Sequence, residues 1–138
     1  MGAKSRARSA PSVTYPRLAY SAPTFDPATI RDIFRLTRPA TKALPFVRLR
    51  PGDQPMMRPE RYWCVEPTGN SKKDVELGRR YARQAIAAMK ADDHPQLIAE
   101  IIQDIVRDGI ERAVKGIRRN PVARGFLAEI SETLAATL

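Results

Sequence analysis

Cationic side chains are the residues of this sequence best suited to chemistry, because phosphate groups and acidic protein surfaces bind them. The chain carries 24 Lys and Arg against 15 Asp and Glu, a formal net charge of +9 in 138 residues. Residues 1–62 hold twelve of the cations and only four of the acids, so nearly all of the excess lies there. This balance favours a polyanionic partner, bound with little sequence preference.

The first 25 residues form the most distinctive basic segment. They contain no acid, and three of them are proline. Few core-building side chains together with a one-sided charge predict a disordered basic arm over residues 1–25. We expect this arm to lie along phosphates through its four cationic side chains, which are Lys4, Arg6, Arg8 and Arg17.

A second cationic group recurs at helical spacing further along the chain. Lys72, Arg79 and Arg83 fall within ~40° of one another when they are placed on a helix. Lys73 extends that face, and Arg119 belongs to another basic stretch. We expect these five side chains to contribute to nucleic-acid or anion binding, with an ordinary solvated helix face as the alternative.

The segment 66–73 joins a predicted strand to a helix N-terminus beside two lysines. Free backbone N–H groups and the helix dipole would favour an anion there. The segment lacks the second Gly and the Gly-Lys-Ser/Thr ending of a Walker A motif. A turn with a helix cap is therefore the favoured interpretation, with Ser71 and Asp74 at capping-box spacing.

The sequence gives little evidence for catalytic or metal-binding residues. One Cys and one His cannot build a Cys/His zinc site, so Cys64 is expected to be an inert buried thiol and His94 to begin a helix. Four carboxylates recur at helical spacing, and a solvated acidic face is the expected role for Glu100, Asp104, Asp108 and Glu111. We predict no catalytic residue, no metal and no cofactor, and hence no enzyme.

The elements that must position these residues are mostly helices. Apolar periodicity predicts helices near residues 27–37, 72–90, 95–108, 110–119 and 121–136. The apolar direction rotates near Gly109, which predicts a break there. A helix-turn-helix centred on this glycine is disfavoured because it would bury charged side chains. Residues 46–50 and 61–66 have the composition of short strands, which allows a minor two-stranded hairpin.

These elements predict a mainly α fold, a small domain of three to five helices over residues 26–138 that follows the basic arm. Its core would form around Ile98, Ile101, Ile105, Phe126 and Ile130. The dense apolar stripe of residues 97–106 is compatible with a homodimer. The longest apolar runs are too short to span a bilayer, and the cytoplasm is the default location.

Two classes of function are favoured over a third, a small enzyme that would use Cys64 or His94. The first is a small non-enzymatic protein that binds nucleic acid through phosphate contacts with little sequence specificity. The second is a protein-interaction module, a regulator or inhibitor, that docks on an acidic partner surface. A steep loss of binding with salt would favour the first class.

Overall fold

A computed structural model describes residues 37–52 and 57–138, which all lie within the unit Arg31–Leu138. The fold is mainly helical, with helices α1 (Pro39–Lys42), α2 (Ser71–Ala91), α3 (Leu97–Val114) and α4 (Pro121–Thr137). The predicted basic arm and all but the last residue of the predicted helix 27–37 lie outside the described residues. Within the described residues, none of the helices combines the length and the apolar character needed to cross a bilayer.

Helices α2 and α4 pack backbone to backbone through two glycines. A Cβ at Gly78 would run into the carbonyl oxygen of Val122, and a Cβ at Gly125 would run into that of Val75. Further along, Arg83 pairs with Glu129, so the contacts follow the same order along both helices. The two helices therefore run in the same direction, with their N-termini at one end of the molecule.

Helix α3 is continuous through Gly109, so the predicted break at this residue and the separate helix 110–119 are wrong. Gly109 keeps an ordinary helical backbone on an exposed turn. The stop lies at Gly116, whose φ of 70° is left-handed and whose N–H donates to the carbonyl of Ala113. The Ile117 N–H donates to the carbonyl of Arg112 at 2.8 Å, which completes a Schellman ending.

The boundaries of α2 and α4 agree with the sequence, but the cap of α2 does not. Asn70, not Ser71, caps α2 by accepting a hydrogen bond from the Lys73 N–H at 3.1 Å. Asn120 caps α4 by accepting from the Val122 N–H at 3.0 Å. An asparagine thus begins each of the two parallel helices.

The predicted hairpin is reduced to one antiparallel bridge between Arg48 and Arg61. One further backbone hydrogen bond joins the two segments, from the Cys64 N–H to the Phe46 carbonyl at 2.8 Å. Other backbone groups bind helix side chains: the Tyr62 N–H donates to the Asp104 carboxylate at 2.7 Å, and the Val65 carbonyl accepts from the Asn120 side chain at 3.0 Å. Docking onto α3 and the start of α4 therefore supplements a short strand pairing.

We call the described residues between α1 and α2, 43–52 and 57–70, the irregular segment. Its aromatic rings fill the centre of the fold. Trp63 and Phe46 are almost fully buried, with ring centroids 5.5 Å apart. Both rings also pack against Tyr81 of α2 and Phe126 of α4. Of the five predicted core residues, four are buried and Ile98 packs against them half-exposed.

Buried carboxylates fasten α1 and the loop before α2 to the rest of the fold. The Asp92 carboxylate accepts from the N–H groups of Ala40 and Thr41 at 3.0 and 2.7 Å and from the Thr41 hydroxyl at 2.6 Å. The Asp74 carboxylate accepts from the N–H and hydroxyl of Thr68. Each acid therefore binds one segment to α2, and each avoids the cost of an unpaired buried charge.

The glycine contact between α2 and α4 yields the first prediction. Gly78→Ala should lower the free energy of unfolding by about 1–3 kcal/mol or more, because the new methyl group must push the two backbones apart. Gly109→Ala is the matched control, since its Cβ meets nothing within 4 Å. That variant should gain roughly 0.5–1 kcal/mol, as expected inside a continuous helix. Urea unfolding of both variants checks this, and a loss at Gly109 would contradict the continuous α3.

Candidate functional site

The predicted cationic stripe on α2 is largely neutralised by α4. Arg79 lies 2.6 Å from Glu132 and 3.1 Å from Glu129, and Arg83 lies 3.3 Å from Glu129. The Glu132 and Glu129 carboxylates raise the pKa of the Arg79 guanidinium, and Arg79 in turn lowers the pKa of Glu132. Two of the predicted binding residues, Arg79 and Arg83, are therefore engaged within the chain.

The other predicted helical cations lie at the end where α2 and α4 begin. Lys72 and Lys73 occupy the first turn of α2, and Arg119 directly precedes the Asn120 cap of α4. The Asn120 side chain binds the carbonyl of Val65, a few residues before α2, which ties the two starts together. The structure thus groups Lys72, Lys73 and Arg119 and separates them from Arg79 and Arg83.

Three further cations share this end of the molecule. They follow the C-terminus of α3 or lie in the first turn of α4. All six side chains are exposed and form no ion pair with any described residue. We call this group the cationic end, and its members are Lys72, Lys73, Lys115, Arg118, Arg119 and Arg124.

Arg112, from the same basic stretch of the sequence, does not belong to the cationic end. Its side chain is buried and its Nε donates to Asp108 at 2.8 Å. Its Nη2 lies 3.7 Å from the exposed Glu66 and 3.5 Å from the Val65 carbonyl. Arg112 therefore anchors the segment before α2 to α3.

The segment 66–73 holds an internal carboxylate where the anion interpretation would place a ligand. Burial raises the pKa of Asp74, but hydrogen bonds from the Thr68 hydroxyl and from the Thr68 and Gly69 N–H groups lower it overall. The donors of this loop are thus used by the chain itself. A turn followed by a helix cap is confirmed, with Asn70 as the cap, and the lysine side chains beside it are exposed.

The four carboxylates of α3 form a docking face for the irregular segment, so the predicted solvated acidic face is wrong. Along α3 they meet Arg58, the Tyr62 N–H, Arg112 and Arg61 in turn, through Glu100, Asp104, Asp108 and Glu111. The distances lie between 2.7 and 3.0 Å. The described residues contain no group of three or more His, Cys, Asp or Glu side chains placed to share a metal ion.

The two residues weighed for nucleophilic chemistry have different neighbours. The Cys64 sulfur accepts a hydrogen bond from Arg48 at 3.0 Å and is only half-buried, not the buried thiol predicted. His94 is buried in the turn between α2 and α3, where its backbone N–H donates to the Met89 carbonyl. Among the described residues, no hydrogen bond joins Cys64 and His94.

A buried polar cluster was not predicted from the sequence. The His94 Nε2 lies 3.9 Å from Glu100, whose other oxygen accepts from Arg58 at 2.8 Å. The Tyr62 hydroxyl is enclosed beside them; burial and Glu100 raise its pKa, while Arg58 lowers it. The cluster adjoins a polar cavity of about 230 Å³. The helical spacing of the acids on α3 was the available signal in the sequence. It does not reveal the partners of Glu100, because Arg58 is 42 residues away and His94 lies in the turn before the helix.

No protein-family model, curated protein or solved structure matches the chain significantly.

The buried position of His94 predicts that the stability depends on pH. Burial lowers its pKa below 6.5, as do the charges of Arg38 and Arg58, against the opposing effect of Glu100 and Asp92. The unfolded chain then binds this proton more readily than the folded chain. The free energy of unfolding should be level above about pH 7 and fall as the pH falls through 6.5.

Urea unfolding between about pH 7.5 and 5.5 tests this dependence. His94 is the only histidine in the chain, so His94→Gln should remove most of the slope in this window. An unchanged slope in that variant, or a gain in stability on acidification, would contradict the assignment.

Proposed function

We propose that the protein binds nucleic acid through its phosphate backbone, with the cationic end as the contact surface in the described residues. The observation that carries this is the group of six exposed cations without an ion pair, at the end where two parallel helices begin. Phosphates are attracted both by the side chains and by the positive ends of the helix dipoles. The protein acts as a binding protein and not as an enzyme.

The pattern of engaged and exposed charge supports this assignment. Residues 63–138 carry twelve cations and eleven acids, so their net charge alone predicts no polyanion surface. Several of these acids face inward, and Asp74, Asp104 and Asp108 bind partners within the chain. Six of the cations that form no ion pair with described residues lie at one end, where a polyanion would meet a local positive field, while Arg80 and Lys90 lie further along α2.

Residues 1–25 would add four more cations to the complex. Each phosphate that a Lys or Arg neutralises adds to the salt dependence of binding. Trp63 and Tyr62 are buried, so they cannot stack on bases as exposed aromatic residues do in single-strand binding proteins. Backbone contact without base reading is therefore the mode that we assign.

An acidic protein surface is the second candidate partner. It is favoured by one observation, the position of apolar side chains next to the cations. Val114 is 81% exposed beside Lys115, and Ile117 is 50% exposed beside Arg118. A phosphate backbone gives these side chains nothing to bury, whereas a protein surface with an apolar centre and an acidic rim does. Binding that survives high salt would favour this candidate.

Two double variants separate the cationic end from the engaged arginines. Arg118→Gln/Arg119→Gln should weaken binding to an unrelated DNA duplex and reduce the slope of log K against log salt by about 2. Arg79→Gln/Arg83→Gln removes the same charge, but its arginines are already paired with Glu129 and Glu132. This control should therefore change the slope much less.

Fluorescence anisotropy of a labelled duplex and a labelled single strand, titrated over a salt series, measures both effects. Circular dichroism shows that each variant remains folded. No binding by the full chain at low salt would overturn the proposal, and so would equal losses in the two double variants.

A further inference from the structure

Helix α3 has an apolar face that the described residues leave uncovered. Its core side is formed by Leu97, Ile101 and Ile105, and its acidic side binds the irregular segment. On the remaining side, Val106 is 56% exposed and Ile110 is 60% exposed. A surface helix normally places polar side chains opposite the core, so this face indicates a further contact.

The spacing of this face is that of a helix-packing seam. Five exposed residues of α3 follow one another at intervals of four, three, four and three, and none of them is charged. Alternating three- and four-residue steps keep side chains on the line along which two helices pack. We call this line the outer seam, and it consists of Ala99, Gln103, Val106, Ile110 and Ala113.

We propose that the outer seam pairs with the outer seam of a second copy in antiparallel orientation. A two-fold axis at the middle of the seam places Val106 opposite Ile110 of the partner subunit. The same axis places Gln103 opposite Ala113 of the partner subunit, so a longer side chain faces a small one there. In-register parallel pairing would place each residue against its own copy.

Charge selects the same orientation. The cationic residues Lys115 and Arg118 lie at the C-terminal end of the seam and carry no ion pair with described residues. Parallel pairing would bring two cationic ends together, and their repulsion would oppose association. Antiparallel pairing places them at opposite ends, and the two Lys115 residues are then about 20 Å apart along the helix axis. The uncharged seam itself meets no repulsion.

The sequence attributed a homodimer to the apolar stripe of residues 97–106, but much of that stripe is core. Leu97, Ile101 and Ile105 are buried within the chain, whereas Ala99, Gln103 and Val106 of this range are exposed and belong to the outer seam. The interface that we propose therefore lies mainly on the opposite side of α3. It is separate from the nucleic-acid proposal and does not depend on it.

Sedimentation of the full chain over a range of concentrations tests the association. The wild type should shift from monomer to dimer as concentration rises, and Val106→Glu and Ile110→Glu should remain monomeric at the same concentrations. Gln84→Glu introduces the same charge at an exposed position of α2 and should dimerise like the wild type. Because both seam residues are exposed, helicity by circular dichroism should be unchanged in every variant.

Disulfide trapping tests the orientation. Gln103→Cys and Ala113→Cys are each made in a Cys64→Ser chain and treated with a mild oxidant, alone and as a mixture. Antiparallel pairing predicts a cross-linked heterodimer in the mixture and little cross-linking of either variant alone. Cross-linking of Gln103→Cys with itself would overturn the orientation. A wild-type chain that is monomeric at all concentrations would overturn the dimer. The outer seam would then be covered by other residues of the same chain or by another protein.

Discussion

The close approach of α2 and α4 is the constraint on which the rest of the described fold depends. With glycine at positions 78 and 125, the two backbones meet at a distance that no Cβ allows. The helices must then run side by side from a common end, where Asn70 and Asn120 cap them. This arrangement gathers cations that lie almost fifty residues apart in sequence. The candidate site is thus a consequence of backbone packing.

Carboxylates that bind backbone groups are the second interaction that holds the fold together. Asp74 and Asp92 are buried and accept two or more hydrogen bonds each, and Asp104 holds the backbone of Tyr62. Together with the Arg48–Arg61 bridge, these acids fix α1 and the segment before α2. Neutral N–H and hydroxyl groups bind Asp74 and Asp92, so these two carboxylates form no ion pair with an exposed Lys or Arg that the structure describes. The six side chains of the cationic end are likewise without an ion pair among the described residues.

The sequence predicted what depends on local pattern. The mainly α class and the positions of α2 and α4 followed from apolar periodicity and from the Asn120-Pro121 start. The end of α3 was misplaced because Gly109 and Gly116 look alike in sequence, and only the left-handed φ of Gly116 separates them. The sequence also did not predict which basic residues form ion pairs within the chain and which are exposed without one. Nothing near Arg79 reveals Glu132, which is 53 residues away and reaches it only through helix packing.

Amide chemical shifts of the full, isotope-labelled chain, followed while a short DNA duplex is added at low salt, test the central claim most directly. The account predicts that the largest changes among the described residues occur at residues 71–73 and 118–122, where the two parallel helices begin. It also predicts small changes around Glu129 and Glu132 and along the outer seam. No changes at the two helix starts, or changes centred on α3 instead, would contradict it.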